Sequence, residues 1–538
     1  MRQSNHRNGE SGTSLFIGTI SLVFLVPLIG LFIDVGILYS AKARLQAAVD
    51  GAALAAARSL NLGQTTDAQA TTAKQNAVNW FYANFPPGNW STTGTVMTTA
   101  SVTVQDDPNN PQLRDVTLSA STQVPTWFMR WFNVNSTALN ANGQASRRDV
   151  VAMMVLDRSG SMCNGHSQPC GLGDGTPCDS MLVAAKTFVG EFAAGRDRIG
   201  MATFDDKTNI SHIPSTDFQT QLGYTNSSGS GTGAIDHIKC GGGTGTPAAL
   251  SLAYNELYKM NLPGALNLIV LETDGLPNTV VYHYWDGTNF ALQGSGCKDI
   301  NNKTKSGGGW RSSHLSDERI WMASHSMNTG GTGYMSDIPA GAYGEIYAND
   351  PSQGNGIRTL WSPWGVNDTD ITADNTTDQT GCNFGTNQYG DFAWLPTSDV
   401  FGNSVNPANA YQSITITSGH VPLSGTLSTD WTNVHAAALN ATDNAAYRIR
   451  TNANLPAYIF TLGLGGNGDI DKTLLQRIAN DPNADMFNNP PQYTSCATTT
   501  GCVNYSTQPQ GMFIYSPDSQ DLGQAFLKIA SQVLRLSR

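Results

Sequence analysis

Val155-Leu156-Asp157-Arg158-Ser159-Gly160-Ser161 is an apolar run that ends in a carboxylate and then sets two hydroxyls at alternate positions. A strand that ends this way turns Asp157, Ser159 and Ser161 into the loop at its carboxyl end. One acidic and two alcoholic oxygens make a hard half-shell, suited to Mg²⁺ or Mn²⁺ and poor for zinc. Asp and Ser are also common in loops, so the spacing alone also fits a polar strand-to-helix turn.

Two later segments favour the metal reading. Gly241-Gly242-Gly243-Thr244-Gly245-Thr246-Pro247 precedes the apolar-periodic stretch Ala248–Met260, and reads as a loop feeding a helix. Ala265–Gly275 is a buried-strand run ending in Glu272-Thr273-Asp274-Gly275. In an open α/β sheet, ligands sit at the carboxyl ends of the strands. Loops from that edge can bring Asp157, Ser159, Ser161, Thr244 and Asp274 together.

With these residues the chain resembles a von Willebrand factor type A domain, whose metal-ion-dependent adhesion site they match one by one. The resemblance implies an α/β fold, a Rossmann-like doubly wound sheet. It implies a divalent cation, Mg²⁺ (or Mn²⁺ or Ca²⁺), with one open coordination position, which a carboxylate from a protein ligand usually fills. Asp274 is expected to act through water. Few direct carboxylates leave residual positive charge on the ion, which favours capture of an acidic ligand over hydrolysis. No general base stands beside the motif, so no catalytic residue and no enzyme activity are expected. Glu272 reads as structural.

Strand–helix alternation continues along the chain, as a parallel α/β sheet requires. Met181–Phe192 has helical spacing, with Asp179 or Ser180 as its cap. Arg198–Phe204 alternates as a strand. Ala457–Leu464 and Met512–Tyr515 read as strands, Asp471 caps a helix over Lys472–Ala479, and Ser519–Leu536 repeats at helical intervals. The type A region thus occupies residues 148–538. The stretch from Asp274 to Ala457 far exceeds an ordinary connection, so residues 280–428 are an insertion. It carries Trp285, Trp310, Trp321, Trp361, Trp364 and Trp394 in a polar, glycine-rich setting. Two readings stand: a small irregular core, or a binding surface. Asp368, Asp370, Asp374 and Asp378 suggest calcium, but lack the glycine and terminal Glu of an EF-hand loop. Thr432–Arg450 reads as a helix returning to the sheet.

Cys163, Cys170 and Cys178 interrupt the segment after the motif, where the family usually starts a helix. They read either as a disulfide-stapled loop or, with His166, as a zinc set of unusual spacing. All eight cysteines follow the amino-terminal apolar segment and their number is even, which favours disulfides and an oxidising compartment. Cys496 and Cys502 could close a small loop.

Ser14–Leu38 is long enough to cross a bilayer, with Asp34 as its single charge, able to sit at the interface. It is longer than the apolar part of a signal peptide, although Ala41-Lys42-Ala43 has the small residues of a cleavage site. Leu38–Ala57 then continues as a strong helix former whose small residues suit close helix approach or an assembly contact. Together with Asp34-Val35-Gly36 it resembles the amino-terminal segment of the TadE/TadG-like group of Tad (Flp) pilus-assembly proteins. Residues 1–60 are therefore expected to be a transmembrane anchor and Ala-rich helix. Residues 61–147 are read as a small β-rich module, with strands near Ala100–Val104 and Val116–Val124. Trp127, Phe128, Trp131 and Phe132 are expected to seal its core.

The net charge of −11 and sparse lysine leave no nucleic-acid footprint. No phosphate loop, dinucleotide fingerprint or nucleophile elbow is present. The combined expectation is a protein-binding component of pilus assembly or the envelope, with other pilus or envelope components as partners. It would be single-pass in the bacterial inner membrane through residues 14–38, its carboxyl-terminal body in the periplasm or at the cell surface. The alternative is an adhesin that takes a host or abiotic ligand through the metal site and the insertion.

Overall fold

The computed structural model describes residues 10–205, 208–223, 233–283, 343–348, 357–360, 394–399, 401–408, 410–422, 427–465, 470–484 and 507–537. They form two compact units, residues 1–148 and 149–537.

The amino-terminal unit begins with α1 (Glu10–Arg58), a single helix that changes character along its length. From Phe16 to Ile33 its apolar side chains are mostly exposed. Beyond Ala41, a stripe of small and apolar residues that includes Leu45, Ala48, Val49, Ala52, Ala53 and Ala56 is buried. That stripe packs on α2 (Thr66–Asn84) and on a four-stranded antiparallel sheet of β1 (Thr93–Val96), β2 (Val102–Asp106), β3 (Leu113–Pro125) and β4 (Ser136–Arg148). A Cβ on Gly143 of β4 would lie 2.9 Å from the Val49 side chain, so the close approach of α1 requires glycine there. Gln46 Nε2 also donates to the Asn142 carbonyl at 2.7 Å. The small residues expected to receive a neighbouring helix are thus covered by the module itself.

Helix α2 lies within the stretch read as a small β-rich module, where no helix was named. Thr65 caps it by accepting from the Ala68 N–H at 3.2 Å, and Ala73, Ala77 and Phe81 form one buried face at four-residue spacing. The aromatic cluster also differs from expectation. Trp127, Trp131 and Phe132 are 59 %, 70 % and 68 % exposed, so they do not seal the core. Met97, Val102, Val116, Leu118 and Phe81 do.

The second unit is a six-stranded sheet with helices on both faces. Its strands are β5 (Val150–Asp157), β7 (Arg198–Phe204), β8 (Thr208–Ser215), β10 (Leu266–Thr273), β16 (Tyr458–Leu464) and β17 (Phe513–Ser516). The order is β17-β16-β10-β5-β7-β8, parallel except for the edge strand β8. Strands β5 and β10 are buried at every position, as central parallel strands covered on both faces must be. One face carries α3 (Pro177–Gly190) and α8 (Leu522–Leu536), with Phe188, Phe192 and Phe526 against Met154 and Val270. The other carries α5 (Thr246–Met260), α6 (Leu427–Arg450) and α7 (Lys472–Ala479), with Tyr254, Leu257 and Ile449 against Val155 and Ile269. Short α4 (Phe218–Leu222) follows β8. This is the doubly wound, Rossmann-like α/β arrangement that the sequence led one to expect.

Helix α3 starts before the expected Met181. Thr176, not Asp179 or Ser180, is its cap, accepting from the Asp179 N–H at 3.3 Å, and Pro177 takes the first helical position. Asp471 caps α7 as read, accepting from the Leu474 N–H at 2.9 Å.

A two-residue ladder joins β6 (Cys170–Gly171) to β9 (Lys239–Cys240). Two disulfides flank it, Cys163–Cys170 and Cys178–Cys240. With these four sulfurs paired, no thiolate there remains for zinc. Between β10 and β16 the described residues form an antiparallel set of β11 (Thr279–His283), β12 (Tyr343–Ala348) and β13 (Ile357–Leu360), and a small pair of β14 (Trp394–Leu395) and β15 (Val421–Pro422). Trp285, Trp310, Trp321, Trp361, Trp364, the aspartates Asp368, Asp370, Asp374 and Asp378, and Cys297, Cys382, Cys496 and Cys502 lie outside the described residues.

Candidate metal centre

The order in which strands join the sheet reverses between β5 and β10, which pair in parallel with Val155 opposite Leu271 and Leu156 opposite Glu272. From β5 the chain goes on to β7 on one side, and from β10 to β16 on the other. The carboxyl ends of such a pair frame a crevice. Asp157 ends β5, and Thr273 ends β10 beside it.

Four of the five sequence-read residues are joined there by hydrogen bonds. Asp157 is fully buried; its Oδ1 accepts from the Ser159 N–H at 2.8 Å and its Oδ2 from the Thr273 hydroxyl. The Ser159 and Ser161 hydroxyls are 2.9 Å apart. Ser161 donates to Asp274 Oδ1 at 2.6 Å, and Ser159 reaches the same oxygen at 3.5 Å. Thr244 arrives on the glycine loop. Its Oγ1 lies 3.4 Å, and Ser161 Oγ 3.7 Å, from the point where a Cβ on Gly275 would stand. Glycine at 275 leaves the space between these hydroxyls open.

Backbone contacts hold the glycine loop against the first motif. Gly160 N–H donates to the Gly242 carbonyl at 2.9 Å, and Gly241 N–H to the Arg158 carbonyl at 2.6 Å. Gly245 N–H donates to the Asp205 carbonyl at 2.6 Å, while the Asp205 carboxylate pairs with Arg158 at 3.2 Å. Asn278 clamps Thr244 from the other side: its Oδ1 accepts from the Thr244 N–H at 2.7 Å, and its N–H donates to the Thr244 carbonyl at 3.0 Å.

Three carboxyl groups are therefore buried close together. Burial pushes Asp157 up to about 6. Burial, and then the Asp157 charge, push Asp274 up to about 7. Glu272 is fully buried and no side-chain donor reaches either of its oxygens. Burial, then the charges of Asp157 and Asp274, hold its carboxyl well above its ordinary range. Without a cation, protons must offset this charge. A divalent ion bound among Asp157, Ser159, Ser161, Thr244 and Asp274 would offset it instead, and oxygen-only donors suit a hard ion. The residues thus fit such an ion on charge and on donor type.

Thr273 and Asn278 were not read from the sequence. Thr273 stands between two acidic residues on a strand, so its hydroxyl faces away from both unless the strand ends there, as it does. Asn278 follows Pro277 in a short turn, and an Asn in such a turn is a common backbone clamp.

Residues 12–59 match the family model of Flp pilus-assembly TadE/G-like proteins, and residues 152–276 match that of the von Willebrand factor type A domain. No curated protein matches the sequence. Among solved structures, the chain is similar to the PilB minor pilin from Streptococcus sanguinis, at 11 % identity and TM-score 0.33, covering 81 % of this chain and 79 % of that one. It is also similar to the vWF domain of the type V pili tip protein Mfa5 from Porphyromonas gingivalis, at 15 % identity and TM-score 0.33, covering 73 % and 98 %. A von Willebrand factor type A protein from Catenulispora acidiphila is similar at 10 % identity and TM-score 0.28, covering 78 % and 46 %. Two separate stretches of the chain thus match family models, a TadE/G-like one near the amino terminus and a von Willebrand factor type A one over the first half of the sheet.

Proposed function

We propose that this protein is a membrane-anchored, metal-dependent protein-binding component of Tad (Flp) pilus assembly or of the cell envelope. The anchor is the exposed apolar length of α1, the one described helix long and apolar enough to cross a membrane. The carboxyl-terminal body then stands in the periplasm or at the cell surface, where its disulfides persist. The observation that carries the binding role is the meeting of Asp157, Ser159, Ser161 and Asp274 at the ends of two adjacent strands, with Thr244 brought alongside. Mg²⁺ held there keeps part of its charge, because hydroxyls supply much of its shell. A carboxylate from another pilus or envelope protein completes the coordination. The chemistry is capture of an acidic side chain, not turnover.

The test is an affinity capture with full-length tagged protein from membranes that contain the pilus machinery. It is run with Mg²⁺, with EDTA, and with Asp157→Ala. A pilus component retained only by the wild type in Mg²⁺ supports the reading. The same component retained equally in all three arms removes the metal from the mechanism.

A further inference from the structure

We propose that the turn Trp127–Phe132 is a lipid-contacting foot, with the rings of Trp127, Trp131 and Phe132 resting in the headgroup region of the membrane that α1 enters. This rests on the anchored reading of α1 and adds a second point of membrane contact, built from the folded module.

Asp34 is the pivot. It lies within the helix where lipid-type exposure gives way to packing on the module, and it is 1 % exposed. A carboxylate at that depth is costly unless it is satisfied. Here it accepts three backbone N–H groups, from Trp127 at 2.9 Å, Phe128 at 2.8 Å and Met129 at 2.6 Å. These donors open the 3₁₀ turn Met129–Phe132, whose first N–H groups have no partner within the turn. One turn earlier on the same helix face, Gly30 receives the Phe128 ring, and a Cβ at that position would overlap it. Gly30 and Asp34 therefore hold the aromatic turn at a fixed level on α1.

That level coincides with the end of a membrane span. Phe16 to Ile33 covers about 27 Å at the helical rise, against a hydrocarbon core of about 30 Å. The exposed rings of Trp127, Trp131 and Phe132 continue the exposed apolar surface of the helix at that boundary. Tryptophan favours this zone, with its ring in the apolar edge and its N–H among headgroups. Arg130 lies over the Trp127 ring at 5.7 Å and donates from Nε to the Thr126 carbonyl at 2.9 Å, which sets a cation among anionic headgroups. A patch of three large exposed rings is otherwise unfavourable in water. The occupant is the bilayer itself.

The experiment places the photo-crosslinker benzoylphenylalanine at Trp131, at Phe24 in the span, or at Val96, which is exposed on the same module. Full-length protein is reconstituted in vesicles of phosphatidylethanolamine and phosphatidylglycerol at about 3:1, irradiated and analysed by mass spectrometry. The expected result is lipid adducts at positions 24 and 131 and none at 96. Asp34→Asn and Gly30→Leu should each lower the adduct at 131 several-fold and leave that at 24 unchanged. Lipid at 24 with none at 131 overturns the foot and leaves the anchor standing. Lipid at neither position overturns both. A protein adduct at 131 assigns the rings to a second copy or another partner and also overturns the foot.

Discussion

The Ser161 hydroxyl donates to Asp274 Oδ1 at 2.6 Å, joining the end of β5 to the end of β10 across 113 positions of sequence. The contact sits where the two halves of the sheet diverge, so the register of the parallel pair positions both groups. In the proposed metal-bound state these two residues turn from each other to the ion. Ser161→Ala removes one donor and leaves the carboxylates in place. Its expected effect is Mn²⁺ binding about tenfold weaker, equivalent to about 1.4 kcal/mol, read by electron paramagnetic resonance of free Mn²⁺. Unchanged affinity would place Ser161 outside the shell.

The Asn278 side chain accepts from the Thr244 backbone N–H, and the Asn278 backbone N–H donates to the Thr244 carbonyl. Asn278→Ala removes the side-chain bond and loosens the glycine loop without deleting a proposed ligand. Groups of this kind are worth roughly 10- to 100-fold in metal affinity. The same Mn²⁺ titration checks this, and a Thr244→Ala, Asn278→Ala double variant should lose less than the sum of the two single losses. Additive losses would show that Asn278 acts elsewhere.

Asp157 and Asp274 both have folded pKa values raised above the unfolded value of about 3.9. The metal-free folded chain therefore holds more protons than the unfolded chain between about pH 4 and 7. The stability these groups contribute is present below pH 4 and is lost as pH rises through that window. Bound Mg²⁺ needs both carboxyls ionised, so its stabilising effect grows over the same window. In EDTA, the melting temperature of Asp274→Asn should fall less than that of the wild type from pH 5 to pH 7.5. The Mg²⁺-induced rise in the wild type should be larger at pH 7.5. Parallel wild-type and variant profiles in EDTA would contradict the assigned cause.

Cys178–Cys240 closes a loop of sequence separation 62, tying the start of α3 to the strand before the glycine loop. Replacing both with Ser should cost about 2–5 kcal/mol of unfolding free energy, measured by urea denaturation of the full chain in detergent. A loss below about 0.5 kcal/mol, within the usual range for a surface change, would mean that the two elements are held by other contacts.

Arg477 of α7 grips Asp443 of α6 with two hydrogen bonds of 2.7 Å, and both side chains are about 95 % buried or more. Arg477→Ala leaves a buried carboxylate unpaired, with an expected cost of about 3–5 kcal/mol. The double variant Arg477→Met, Asp443→Leu should recover most of it. Failure to recover would show that further polar contacts of this pair carry the stability.

The central strands were legible because a parallel sheet covered on both faces demands unbroken apolar runs. Val150–Leu156 and Leu266–Leu271 are such runs, apart from Asn267, and each is followed by an acidic residue at the ligand edge. The ligand candidates were legible for the same reason, since the spacing after Asp157 and the loop before α5 fall at strand and helix ends. Helix α2 was less so, because Thr, Gln and Asn dilute its apolar face to Ala73, Ala77 and Phe81. The start of α3 was hidden by an acidic residue two positions after Pro177, which itself looks like a cap. Trp127, Trp131 and Phe132 misled because aromatic residues are usually buried in soluble modules, whereas here they lie beside a helix of exposed apolar surface. The Asp34 contact joins residues more than ninety positions apart, and local pattern does not report it.

The most direct measurement is a Mg²⁺ titration of the metal-stripped full-length protein by isothermal titration calorimetry, beside Asp157→Ala and Asp274→Ala. One saturable site per chain in the wild type, absent from Asp157→Ala and strongly weakened in Asp274→Ala while both variants keep the wild-type circular dichroism, is the expected result. No saturable binding by the wild type, or the same affinity in both variants, would contradict the metal centre and the binding role proposed for it.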